Sequence, residues 1–219
     1  MSNMEDAVET QPDAGTKARL LAAARRIFAE RGARDATVRD ICTEAGANVA
    51  AVNYHFGGKE KLFMAVLSDY LERCFEKHPV TMGLGPEATP SERLKAYIRS
   101  FLYRLMGDGD PVEEKLGLLL AAEIVDPSAQ FERVAAKLLM PSHNALQNII
   151  RDLLPKATEQ TVKLCAAGVS GHCLLFDNAK QLIRRLRPDM ALENLGVELV
   201  TDFVFRYASA GIASMADPA

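Results

Sequence analysis

The sequence predicts an all-α chain, with three small helices forming a head, a connecting helix, and a larger C-terminal helical bundle. Three observations carry this. Apolar residues recur at three- and four-residue steps along nearly the whole length, and no alternating strand pattern interrupts them. Pro falls between the periodic runs, with Pro141 as the exception. The hydrophobic fraction is 48% while aromatics are 6% and Trp is absent, a balance that suits helices built on Leu and Ala.

Each element follows in order. Leu20, Leu21, Ala24, Ile27 and Phe28 form one stripe, with Arg19, Arg25, Arg26 and Glu30 opposite, and this first helix ends at Gly32. Thr37-Val38-Arg39-Asp40 reads as a capping box that opens a second, short helix stopping near Gly46. A third covers about 48–55. The fourth runs over about 59–77, with Leu62, Phe63, Val66, Leu67, Tyr70 and Leu71 on one side. Residues 79–90 are Gly- and Pro-rich and read as a loop. Helices then span about 91–106, 112–125, 128–153, 158–186 and 189–212. Breaks fall at Gly107–Pro111, Asp126-Pro127, Leu154-Pro155 and Arg187-Pro188, and Pro141 is expected to kink or split its segment.

Composition narrows the function. No apolar run approaches the roughly 20 residues needed to span a bilayer. Residues 1–15 are acidic and polar without a signal pattern, so a disordered leader and a cytoplasmic location are expected. Cys42, Cys74, Cys165 and Cys173 lack CxxC spacing and read as buried, reduced thiols; His172 beside Cys173 points elsewhere on a helix, so no metal or cofactor is expected. Net charge is −3, yet residues 16–61 hold nine Lys/Arg against five Asp/Glu, a local +4. A basic head on an acidic body is the footprint of a polyanion partner.

The chemistry concentrates in Thr37–Lys59, TVRDICTEAGANVAAVNYHFGGK. On a wheel at about 100° per residue, Val49, Val52 and Phe56 share a face that should pack on the first two helices. The outward arc holds Asn48, Ala50, Ala51, Tyr54 and His55. Small residues let a helix enter a major groove closely, alanine can touch a thymine methyl, and asparagine can pair with adenine. Tyr54 and His55 stand at the far end, where they can donate to phosphate. Lys59 opposes the dipole of the helix it opens, a placement that suits a nearby anion. Thr37 can offer its hydroxyl or N–H to phosphate, and Lys17 and Arg39 are further contacts.

Taken together, TKARLLAAARRIFAERG, TVRDICTEAG and VNYHFGGKEKLF resemble the N-terminal domain of the TetR family of transcriptional repressors. The resemblance implies a DNA-binding helix-turn-helix, 38–45 and 48–55, with the second as recognition helix. It makes Thr37, Tyr54, His55 and Lys59 phosphate contacts and puts Ala47, Asn48 and Ala51 where bases are read; Val38 belongs to the same DNA-facing set. Gly58 departs mildly, since Ser, Thr or Asn is commoner at that helix start. AAEIVDPSAQFERVAAKLLMP and GVSGHCLLFDNAK resemble the C-terminal domain of the CecR-like branch. The implied organisation is a leader (1–15), a DNA-binding domain (16–61) and a ligand-binding and dimerisation domain (62–215).

In the body, the last two helices are expected to form a homodimer interface through Gly168, Ser170, Gly171, Leu174, Leu175, Leu195, Leu199, Phe203 and Val204. Glu123, set in the apolar LGLLLAAEIV, is expected to face a partner, water or ligand, because burying an unpaired carboxylate is costly. Tyr97, Phe101, His143, Gln147, His172 and Phe176 complete the candidate lining of an effector pocket. The expected function is a dimeric, ligand-responsive repressor on a palindromic operator, released by a small-molecule effector. An enzyme using Glu123, His143 or His172 finds no nucleophile–base spacing, HExxH or phosphate loop to support it. A protein-binding adaptor without DNA affinity is the other alternative.

Overall fold

A computed structural model describes residues 14–106, 109–178, 185–186 and 196–216. Among these there are only helices and turns: α1 (Ala14–Asp35), α2 (Val38–Ala45), α3 (Val49–Phe56), α4 (Lys59–Lys77), α5 (Pro90–Met106), α6 (Pro111–Val125), α7 (Ala129–Leu153), α8 (Glu159–Asn178) and α9 (Gly196–Ala213). Residues 1–13 of the expected leader, Leu195 and the break expected at Arg187-Pro188 lie outside the described residues, as does most of the stretch between α8 and α9, while the last two leader positions already belong to α1.

The chain divides into two compact units. The first holds the chain through Asp69, within α4, together with Pro111–Gln130. Its core is Leu20, Ala24, Phe28, Ile41, Val52, Leu62, Val66 and Leu67, all fully buried. Phe28 and Phe63 meet edge to face at 5.1 Å. Gly32, at φ 78°, breaks the end of α1 where the sequence places a stop. The α6 segment packs on α1 in this unit, with Leu116 buried and Arg25 ion-paired to Glu113. The sequence reading assigns α6 to the body. An apolar helix shows that it must be covered, not by which neighbour.

The second unit holds Tyr70–Asp110 and the chain from Phe131 onward. Leu94, Tyr97, Ile98 and Leu102 from α5, Leu146, Ile149 and Ile150 from α7, Val162, Ala166, Val169 and Cys173 from α8, and Val200, Val204, Ala208 and Ile212 from α9 form one buried cluster. Thr89 caps α5: its Oγ1 accepts the Glu92 amide at 3.3 Å and Glu92 Oε2 accepts the Thr89 amide at 2.8 Å. Contrary to expectation, α7 runs unbroken through Pro141. Pro141 is exposed, and buried Phe131 on one side and Leu146, Ile149 and Ile150 on the other anchor both halves, so a single lost backbone bond does not divide the helix.

Candidate nucleic-acid interface

Sequence-local chemistry builds the α2–α3 turn. Thr37 is the N-cap of α2, and its Oγ1 accepts the Asp40 amide at 3.1 Å. Asp40 Oδ2 in turn accepts the Thr37 amide at 3.2 Å and the Thr37 hydroxyl at 2.6 Å, and Arg31 Nη1 lies 2.9 Å away. Bonds from the Thr37 side chain and backbone, helped by Arg31, hold the Asp40 carboxyl below its ordinary value. The Thr37 proton and amide are therefore both engaged inside the chain, which corrects the expectation that they stand free for phosphate. The amides of Val38 and Arg39, one and two residues into the helix, remain the end groups that α2 presents. The side chain of Arg39 is exposed.

Gly46 turns the chain at φ 60°. Asn48 then caps α3, its Oδ1 accepting the Ala50 amide at 3.0 Å. The cap takes one lone pair of Oδ1, so an asparagine–adenine pair would have to share that oxygen, while the amide NH2 is left to read a base. Ala47 and Ala51 are half-buried.

The face assignments of α3 hold at two positions of three. Val52 is fully buried and Phe56 half-buried, but Val49 is 46% exposed. Val49 is the first helical residue, at the mouth of an eight-residue helix, with no preceding turn beside it to close over its side chain. Tyr54 projects, 71% exposed. His55 does not join it on the outward arc. Its ring lies edge-on to Tyr54 at 5.1 Å, and its Nε2 is sealed without a hydrogen-bond partner. Lys17 is exposed, with Nζ 5.9 Å above the Phe56 ring, which brings a charge from α1 to the end of α3.

Lys59 carries a further correction. Its Nζ donates to the carbonyls of Arg34 at 3.1 Å and Ala36 at 2.9 Å. The electronegative group that compensates its unfavourable place on α4 is the carbonyl end of α1. Sequence reasoning also missed Arg19, whose Nε donates to Ala45 O at 3.3 Å and ties α1 to the end of α2.

The candidates for an effector site do not gather. Tyr97 belongs to the buried cluster of the second unit, and Phe101 and Phe176 pack against it half-buried, with the Tyr97 and Phe101 rings 6.0 Å apart. Burial pushes the Tyr97 phenol up. His143 and Gln147 bond to each other at 2.8 Å along α7. His172 sits instead beside Tyr207, rings 4.6 Å apart, in an outward groove between α8 and α9. Glu123 lies in the first unit, where its Oε2 accepts the Ser128 hydroxyl at 2.9 Å and amide at 3.2 Å. It closes the turn before α7, which satisfies the carboxylate without any ligand. Among the described residues no group of three or more His, Cys, Asp or Glu is placed to hold a metal, and none of the four cysteines is in a disulfide.

A capped helix, a left-handed glycine turn and a second capped helix with an exposed tyrosine define a helix-turn-helix DNA-binding regulator. Residues 20–66 match the family described as bacterial regulatory proteins, tetR family, and residues 90–215 match the C-terminal domain of the HTH-type transcriptional dual regulator CecR. The CecR of Shigella flexneri is 31% identical over 206 residues, which cover 86% of this chain and 87% of that protein. The HTH-type transcriptional repressor KstR2 of Rhodococcus jostii is 38% identical over 83 residues, 37% of this chain and 41% of that one. The crystal structure of a TetR-like transcriptional regulator from Rhodococcus sp. RHA1 shares the fold, with TM-score 0.61 at 20% identity over 93% of this chain and 98% of that one. The chain belongs to the TetR family and carries a CecR-type C-terminal domain. It is a ligand-responsive, DNA-binding transcriptional regulator and not an enzyme.

Proposed function

We propose that this protein represses transcription as a homodimer, two α3 helices reading a palindromic operator in successive major grooves about 34–36 Å apart. The observation that carries the reading is the face around α3, where Tyr54, Arg39 and Lys17 are exposed beside Ala47, Ala51 and the free amide group of Asn48. Thr37, Val38, His55 and Lys59 frame it; Thr37 and Lys59 act mainly by fixing the geometry. Residues 16–61 make up the operator-binding domain and 62–215 the ligand-binding and dimerisation domain, acting in the cytoplasm.

The dimer reading is supported by the outer face of α8 and α9. Leu164, Leu175, Leu199, Phe203, Tyr207 and Met215 are each more than half exposed. Leu164, Tyr207 and Met215 among them line a groove of about 290 Å³ that also takes in Gly168 and Gly211. A side chain added at Gly168, Gly171 or Gly211 would meet nothing within 4 Å in this chain, so no neighbour inside the subunit requires their small size. Val204 faces the core, and Leu174 is half-buried.

The test is operator selection from random duplexes followed by affinity measured against salt. Lys17→Ala and Arg39→Ala should each flatten the plot of log affinity against log salt by about 0.9. Tyr54→Phe should weaken every duplex about three- to tenfold with the slope unchanged. Salt-independent binding, or none, would leave the adaptor reading in its place.

A further inference from the structure

The second unit carries a cation whose role neither DNA binding nor dimerisation accounts for. Arg104 stands in the last turn of α5. Its guanidinium lies 4.1 Å from the centroid of Phe75 on α4 and 5.6 Å from that of Phe101 on α5. Nη1 is sealed from solvent and has no hydrogen-bond partner, and among the described residues no carboxylate pairs with the group. The remainder of the side chain is only half-buried, so the group can be approached. Among the described residues its neighbours include Phe75, Phe101, the phenol of Tyr97 and the thiols of Cys74 and Cys173. Burial lowers Arg104 to about 10 and raises Cys173 to about 12, so at neutral pH the arginine is charged while the thiol and phenol are not. Two aromatic rings attract a guanidinium but accept none of its protons, so its hydrogen-bonding capacity is not used.

We propose that Arg104 is the anchor of the effector site, and that the effector is an organic acid: a carboxylate on an apolar body, its anion paired with the guanidinium and its body laid among Phe75, Tyr97 and Phe101. This rests on the reading of the chain as an effector-released regulator and names the chemical class of the effector. It also supplies a coupling element. Phe75 sits near the end of α4, the helix that begins at Lys59, so an anion that draws Arg104 off Phe75 acts on the helix leading to the DNA-binding head.

The test uses the full chain without DNA. Octanoate and benzoate are titrated beside octanamide and benzamide, with melting temperature and calorimetry as readouts. At least one acid should bind and raise the melting temperature, while its amide binds at least tenfold more weakly. Arg104→Met should weaken that acid at least tenfold, and Arg104→Lys by a smaller factor, since the charge stays but the fork is lost. Both variants should still bind the selected operator, which shows that they fold. The lysine variant carries the comparison alone if the methionine variant does not fold. Failure of every acid to bind, equal binding of acid and amide, or unchanged acid affinity in the variants overturns the assignment. Wild type that binds its operator but no acid rejects Arg104 as anchor and leaves the regulator reading standing, whereas loss of that reading shows first as absent operator binding.

Discussion

The operator-facing head and the outer face of α8 and α9 are both exposed, but they differ in how far their residues are already used. In the head, Thr37, Asn48 and Lys59 each serve the fold first, as two N-caps and a clasp on the end of α1. On the α8–α9 face, Leu199, Phe203 and Tyr207 show no comparable duty and leave apolar area in water. Large exposed apolar faces on soluble domains mark contact surfaces. The head is therefore preorganised for DNA, while the body face offers the apolar area that the proposed second copy would cover.

The largest effect should come from breaking that completion. Leu199→Glu with Phe203→Glu places charge where a second copy is proposed to pack. Helicity should be unchanged, since both side chains face water in the single chain. Sedimentation should report half the mass, and palindromic-operator affinity should fall by about a hundredfold or more, because two linked half-sites give way to one. Unchanged mass and affinity would place the interface elsewhere.

Next in size is Lys59→Met. If Lys59 served only phosphate, its loss would spare the free protein. The two carbonyl bonds instead predict a loss of about 1–2 kcal/mol, or a fall in melting temperature of roughly 2–8 °C, measured without DNA. A melting temperature equal to wild type would sink the clasp and return Lys59 to the phosphate role alone.

That contrast also marks what the sequence can disclose. The elements, the capping box at Thr37–Asp40 and the burial of Val52 were legible because each depends on spacing within a few residues. The carbonyl partners of Lys59 lie 23 and 25 positions away, and the docking of α6 on α1 joins Arg25 to Glu113 across 88. No periodicity reports such pairs. Glu123 conceals its partner for the opposite reason. Its partner Ser128 is only five residues on, but a carboxylate closing a turn looks from composition like one awaiting a ligand. In the body, periodicity marks which residues are apolar but does not separate an inward Val204 from an outward Phe203 one position before it.

Asn48 gives a smaller effect and separates its two roles. Asn48→Ala should cost about 1 kcal/mol of stability, as N-cap losses do. Asn48→Asp keeps an oxygen that accepts the Ala50 amide and turns the NH2 donor into a second, charged acceptor, so stability should stay near wild type while affinity for every duplex falls. Any change in selected operator sequence with the aspartate variant then belongs to base reading. An identical selected sequence would restrict Asn48 to the cap.

The smallest effect is acid sensitivity at Asp40. Its carboxyl is held below the ordinary 3.8 by Thr37 first, with Arg31 adding to it. A depressed carboxylate binds its proton more readily in the unfolded chain, so its contribution to stability is complete above that ordinary value. The contribution fades as pH falls below 3.8 and through the folded value. Asp40→Asn should therefore lower the melting temperature slightly at pH 6, and the gap from wild type should narrow through the acid range. The carboxyl is partly open to solvent, which screens the ionic part and leaves the capping bonds to carry the effect. A gap that stays constant down through that range would mean that the carboxylate's charge contributes nothing to holding the start of α2.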